Sequence, residues 1–253
     1  MKMPVLFIGH GSPMEAISNS SYSQAWEEMG KKLPRPKAIL AISAHWYTKG
    51  IKVSKQETLK QVYDMYGFPQ ELYDIKYTPK GDDELTKKVL DRLPSAEVDN
   101  SWGIDHGVWS ILMHMYPEAD IPVVILSVDG TKTDEEHYEI GERLADLRQE
   151  GYLIIGSGNV VHNLRLVEDS EEGYPWAIAF DEDIRDAITD HRWEDVVLYK
   201  ARIPNALQAA PTPEHFNPLI TVLGAASKDD TITVWNEGTK LGSISMTSYL
   251  FKS

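Results

Sequence analysis

Short apolar runs, each about as long as a strand, alternate along this chain with segments whose apolar residues recur every three or four positions. The runs lie at residues 5–8, 38–42, 122–128, 152–155, 231–234 and 243–246. Periodicity alone does not separate a short buried strand from a buried helix, but β-branched content and nearby glycines favour strand. Between the runs, 22–32 reads as a short amphipathic helix, and 82–92 carries Leu85, Val89 and Leu90 at helical spacing. Segment 134–150 puts Ile140, Leu144 and Leu147 on one stripe, 175–189 sets Trp176, Phe180, Ile184 and Ile188 four apart, and 108–116 is an apolar helix. Strands alternating with helices imply βαβ units: an α/β fold with a central, mainly parallel sheet and helices on both faces. The runs at 231–234 and 243–246 have only a short turn between them and are expected to add an antiparallel pair, making the sheet mixed. No internal repeat or low-complexity linker divides the chain, so a single domain is expected.

Composition narrows the chemistry. The 253 residues carry 25 basic and 39 acidic side chains, a formal charge of -14. That balance argues against phosphate neutralisation on nucleic acid and against an anionic membrane surface. Cysteine is absent, so a metal would be held by His, Asp or Glu, which suits iron(II), manganese or zinc. The first apolar run is too short for a secretory signal, and no stretch approaches the roughly 18 apolar residues of a membrane span. A soluble cytoplasmic protein is the expectation.

Four histidines sit at the end of an apolar run or beside a helix start: His10, His45, His162 and His215. The first three follow expected strands, and ligands of open α/β sheets collect at the carboxyl ends of the strands. His10 lies between two glycines, which would permit a sharp turn and close approach of a ligand. Ser12, Pro13 and Glu15 read as a capping box. His45 ends Ser43-Ala44-His45, where small residues bring the chain off the strand. The glycines of 156–158 lack the full phosphate-loop pattern and its lysine, and would instead leave a substrate room beside His162.

Thr212 as N-cap and Pro213 as first residue begin an expected helix through Leu219, Ile220 and Leu223. The field at that helix start would keep His215 neutral, as a metal ligand must be. His106 falls in an expected loop between glycines at 103 and 107, beside Asp105, which could orient an imidazole or cap a helix. Taken singly, each histidine could equally be a structural hydrogen-bonder. Together they gain weight, because three strand ends deliver an imidazole to one sheet edge. His114, His137 and His191 receive no role. Arg165 could meet a substrate carboxylate or lie free on the surface.

With these residues in place, the chain resembles the DOPA-type extradiol dioxygenases of the class III, LigB-like ring-cleavage superfamily. The similarity is carried by GHGSP at 9–13, SAHW at 43–46, WGIDHG at 102–107, SGNVVHN at 157–163 and TPEH at 212–215. PEADIPVV at 117–124, YPWA at 174–177 and GSISM at 242–246 also match. The resemblance runs nearly end to end and implies one LigB-like catalytic domain over residues 1–253. It implies non-haem iron(II) for turnover, with zinc possible in the isolated protein. His10 and His45 would be ligands by position. The third falls at Glu214-His215, where the DOPA-type pattern points to His215 rather than to the superfamily's glutamate. His162 would be a fourth ligand or the acid/base, and His106 would contact the substrate. The implied reaction opens a catechol ring beside its diol with O2, giving a muconic semialdehyde. A zinc hydrolase using the same histidines, or a non-catalytic binding protein, are the competing readings. Oxygen consumption separates them from the first.

Overall fold

The structure is a computed structural model that describes residues 2–170 and 172–253. The described residues form ten strands: β1 (Val5–Gly9), β2 (Ile39–Thr48), β3 (Lys52–Val53), β4 (Glu97–Val98), β5 (Val123–Asp129), β6 (Leu153–Gly158), β7 (Thr231–Trp235), β8 (Thr239–Lys240), β9 (Ile244–Ser245) and β10 (Ser248–Lys252). Eight form one sheet in the order β4-β3-β5-β2-β6-β1-β10-β7. β5, β2, β6 and β1 are mutually parallel at its centre, whereas β10 runs antiparallel to both β1 and β7. The mixed, mainly parallel sheet is therefore as expected.

Alternation along the central strands divides the core in two. Val5, Phe7, Leu40, Ile42 and Val124 face one layer, under helices Asp83–Arg92, Asp134–Leu144, Pro175–Thr189 and Asn217–Ala225. Leu6, Ile8, Ile39, Ala41 and Val123 face the other, under Ser21–Lys32 and His106–Met115. The helix starts follow local chemistry: Ser20 and Asp82 cap with their side chains, and Thr133 forms a capping box with Glu136. Among the described residues no helix is long and apolar enough to cross a membrane.

Two expectations change here. Residues 243–246 do not enter the main sheet. β8 and β9 form a separate hairpin through Leu241 and Gly242, both at positive φ (53° and 74°). The Ser245 and Thr247 hydroxyls donate to the Asp181 carboxylate at 2.7 and 2.5 Å, which holds this segment against helix Pro175–Thr189. The partner of β7 is β10, whose three apolar residues are too few to stand out in the sequence. The helix expected over 134–150 also tightens into a 3-10 turn, Ala145–Arg148, that sends Leu147 and Arg148 inward.

Arg148 is fully buried and ties four chain segments together. Its guanidinium donates to the Asp230 carboxylate (2.6 Å) and to the carbonyls of Met3, Ala225 and Phe251. Burial alone would raise the Asp230 pKa, but the guanidinium and the Ser253 and Ser227 donors hold it well below the usual carboxylate range. Arg148→Ala leaves the buried Asp230 carboxylate only the partly exposed Lys2 ammonium (3.2 Å) as a charged partner and is expected to cost about 3 kcal/mol in urea unfolding. Because the folded Asp230 pKa is depressed, its stabilisation is complete above about pH 4 and drains away as pH falls through the folded value. Unfolding free energy measured against pH should decline below about pH 4, and decline less in Asp230→Asn.

Candidate metal centre

The parallel register brings three strands to one edge together. Gly9 pairs with Gly158, and Ser43 with Ser157. His10 follows β1 directly, and its amide donates to the Gly158 carbonyl (3.1 Å). His45 lies inside β2 rather than beyond its end. Ser43 opposes Ser127 on β5 while Tyr47 opposes the next residue, Val128, so Ala44, His45 and Trp46 bulge out of the ladder. Such bulges re-aim side chains next to functional sites.

His106 is the first residue of a helix, not a loop residue, with Asp105 as N-cap accepting from the Gly107 amide (3.1 Å). Gly107 has a steric reason: a Cβ there would stand 2.9 Å from the His45 ring and 3.1 Å from His10 Nδ1. The glycines expected to make room for ligand or substrate prove to be packing contacts. Gly9 and Gly11 lie against Met246, and a Cβ on Gly158 would strike the His215 carbonyl.

That carbonyl accepts from the Asn159 amide (3.0 Å), which diverts it from a helical bond. The helix consequently begins at Asn217, not Pro213, and His215 sits in the turn just before its N-terminus. The capping box at Ser12 is also only half formed. Ser12 accepts from Met14 (3.3 Å), but Glu15 turns away to Ser20 and Lys240 (both 2.6 Å).

All five histidines singled out in the sequence converge. Ring nitrogens of His10, His45 and His106 lie within 4.8 Å of one another, as do donor atoms of His162, Glu214 and His215. The two groups meet where His45 Nε2 stands 3.1 Å from His215 Nε2. Ring orientations differ, and His106 stands edge-on to His10 (78°, 5.8 Å). His10, His45 and His215 are mutually inclined, at 54°, 59° and 67°. His106 stacks on His45 (26°, 4.2 Å between centroids), and His162 lies flat on His215 (9°, 3.5 Å).

Hydrogen bonds fix the tautomers. The Ser157 hydroxyl donates to the Gly107 carbonyl, so at 2.9 Å it accepts from His10 Nδ1–H. His45 Nδ1–H faces Asp105 (3.2 Å) and Asp64 (3.3 Å). His106 Nδ1–H donates to Asp64 (2.9 Å), and His215 Nδ1–H points to Glu214 (3.3 Å). Each of these four rings thus carries its free lone pair on Nε2. His45 and His215 aim lone pairs at each other across 3.1 Å, an arrangement that calls for a cation or a proton between them. The donor set fits a divalent metal that accepts imidazole, zinc or iron(II).

Burial, then the neighbouring imidazoles, push the pKa values of His10 and His215 well below the free value, and that of His162 down to about 3. His106 is also lowered, with Asp64 opposing. His45 alone is raised: burial would lower it, but the Asp105 hydrogen bond and the charges of Asp105 and Asp64 prevail.

Asp64 and Ser157 escaped the sequence reading. Ser157 was seen only as part of a glycine turn, and Asp64 lies in a segment with no periodic pattern. Asp105 performs both of its expected alternatives, capping a helix and orienting His45. His114 (3.1 Å from the Glu15 carbonyl) and buried His137 belong to neither ligand group, and Arg165 is exposed on the 3-10 turn Leu164–Leu166.

The chain matches the family described as the catalytic LigB subunit of aromatic ring-opening dioxygenase over residues 4–252. It is 42% identical to the 4,5-DOPA dioxygenase extradiol of Escherichia coli K12, covering 98% of this chain and 94% of the relative. It is 41% identical to the protein of the same name from Beta vulgaris, covering 98% and 96%. An Escherichia coli K12 protein of known crystal structure, described as uncharacterized, superposes with a TM-score of 0.86 at 40% identity, covering 98% of this chain and 99% of that one. With that match running almost end to end and the buried histidine cluster at the sheet edge, the chain belongs to the LigB family of aromatic ring-opening dioxygenases.

Proposed function

We propose that this ring-opening dioxygenase acts on a catechol such as DOPA, with His10, His45 and His215 holding iron(II), His162 as acid/base and His106 contacting the substrate. The observation that carries the assignment is the division of ring orientations. An imidazole lone pair lies in its ring plane, so rings that converge on one ion are inclined or coplanar, never stacked face to face. His10, His45 and His215 satisfy that condition. His162 lies flat on His215, and two rings in stacked parallel planes cannot both point a lone pair at one ion. This favours the acid/base role over that of a fourth ligand. The DOPA substrate class is supported by the names of the relatives.

The residues divide the work. Ser157, Asp105 and Glu214 keep the lone pairs of His10, His45 and His215 directed inward. Bound iron(II) supplies redox contact between the catechol oxygens and O2. His162 has no hydrogen bond to either ring nitrogen among the described residues, so a ring nitrogen is free to take a proton and return it. Its low pKa keeps it neutral before substrate arrives, and the charge of a catecholate beside it raises its basicity when needed. His106 presents Nε2 as an acceptor for a substrate hydroxyl.

Anaerobic loading with iron(II), followed by a catechol panel with an oxygen electrode and product spectra, tests the reading. One O2 consumed per ring opened is expected, with a yellow semialdehyde product. Hydrolysis that persists without oxygen would instead identify a zinc hydrolase. His10→Ala and His45→Ala should lose metal in equilibrium dialysis. His106→Ala should retain it and turn over slowly, and His162→Ala should retain it with turnover reduced about 10²–10⁴-fold. Gly107→Ala, which drives a methyl between His10 and His45, should weaken metal retention while leaving the thermal unfolding of the metal-free protein little changed.

A further inference from the structure

We propose that Asp64 is a positioning residue that couples the proposed ligand His45 to the proposed substrate contact His106 through its two carboxylate oxygens. Oδ1 accepts from both the backbone amide (3.0 Å) and the ring Nδ1–H (2.9 Å) of His106. Oδ2 faces His45 Nδ1–H at 3.3 Å. Among the described residues it is the one carboxylate within 4 Å of a ring nitrogen of both, and the two rings are stacked 4.2 Å apart. Asp105 does not duplicate it. That carboxylate also reaches His45, but its remaining capacity is taken by Ser43 (2.6 Å), Trp102 (3.0 Å) and the Gly107 amide.

Asp64 is held in place by its own chain. The Val62 amide donates to the Ile104 carbonyl (2.8 Å), the Trp109 indole donates to the Val62 carbonyl (3.1 Å), and the Tyr63 hydroxyl donates to the Ile75 carbonyl (2.5 Å). The carboxylate is therefore a fixed acceptor pair, not a mobile surface group. The Asp64 hydrogen bond forces the lone pair of His106 onto Nε2, and its second oxygen adds a charge beside the Asp105 hydrogen bond that does the same for His45; partners of this kind are typically worth about 10–100-fold in metal affinity or activity. One group thus fixes the proposed substrate contact and reinforces the proposed ligand beside it. The names of those two roles rest on the function proposed above, whereas the tautomer control does not.

Two substitutions separate the halves of the role. Asp64→Asn keeps one acceptor oxygen, which the His106 amide can hold in place because an amide only donates. The new NH2 then opposes His45 Nδ1–H, donor against donor. Asp64→Ala removes the acceptor from both rings. The probe is zinc, with 15N-histidine NMR reading the tautomer of His106 in the zinc-loaded protein and chelator competition reading affinity. Near-UV circular dichroism checks the fold.

Asp64→Asn should keep His106 as the Nδ1–H form and bind zinc about tenfold more weakly. Asp64→Ala should also lose that tautomer preference, and after iron(II) loading should turn over catechol at least tenfold more slowly than Asp64→Asn. Zinc affinity of Asp64→Asn within twofold of the parent would overturn the proposal, even if Asp64→Ala does not fold. Unchanged His106 tautomer in a folded Asp64→Ala would overturn it as well. Both readouts stand if the parent opens no catechol ring, so failure here is distinct from failure of the proposed function.

Discussion

Crowding five imidazoles into one largely buried space is the constraint on which this site depends. Charged imidazolium rings so close together and so far from water would repel strongly. Four of the five are accordingly pushed toward their neutral forms by burial and by one another. The exception, His45, lies between two carboxylates. A neutral ring must still place its single proton, and the surrounding acceptors decide where. Ser157, Asp105, Asp64 and Glu214 stand on the Nδ1 side of four rings, so the lone pairs gather in the middle. The protein has in effect placed its hydrogen-bond acceptors outside and its metal-binding capacity inside.

That arrangement depends on backbone devices as much as on side chains. The bulge in β2 turns His45 out of the ladder, and Gly107 leaves the space that the His45 and His10 rings occupy. Gly158 lets the turn carrying His215 lie against β6, where Asn159 captures the His215 carbonyl. Remote from the site, Arg148 secures the chain beside β1 and β10 by a buried ion pair and three carbonyl contacts.

Much of the fold was legible in the sequence because central parallel strands are buried on both faces. Such strands read as short continuous apolar runs, as at β1, β2, β5 and β6. The outlying elements were harder. β10 has only three apolar residues in a row, and 243–246 has the composition of a strand but is held in a hairpin by bonds from Ser245 and Thr247 to Asp181, more than sixty positions away. The helix expected from Thr212 and Pro213 starts four residues late for the same kind of reason, since a long-range hydrogen bond from Asn159 competes with the local capping signal. Asp64 left no trace at all: no pattern surrounds it, and its partners lie 19 positions before it and 42 after.

The layered α/β architecture and the set of five histidines are written in local features of the chain: apolar runs, helical spacing and the placement of imidazoles beside them. The family motifs are local as well. How those histidines differ emerges only in the folded molecule. Whether a ring is inclined to its neighbours or stacked on them, which nitrogen keeps its proton, and which carboxylate serves two rings at once depend on contacts between strands, turns and helices far apart in the chain. Lone-pair direction is a property of orientation in space, and no spacing along a sequence encodes it.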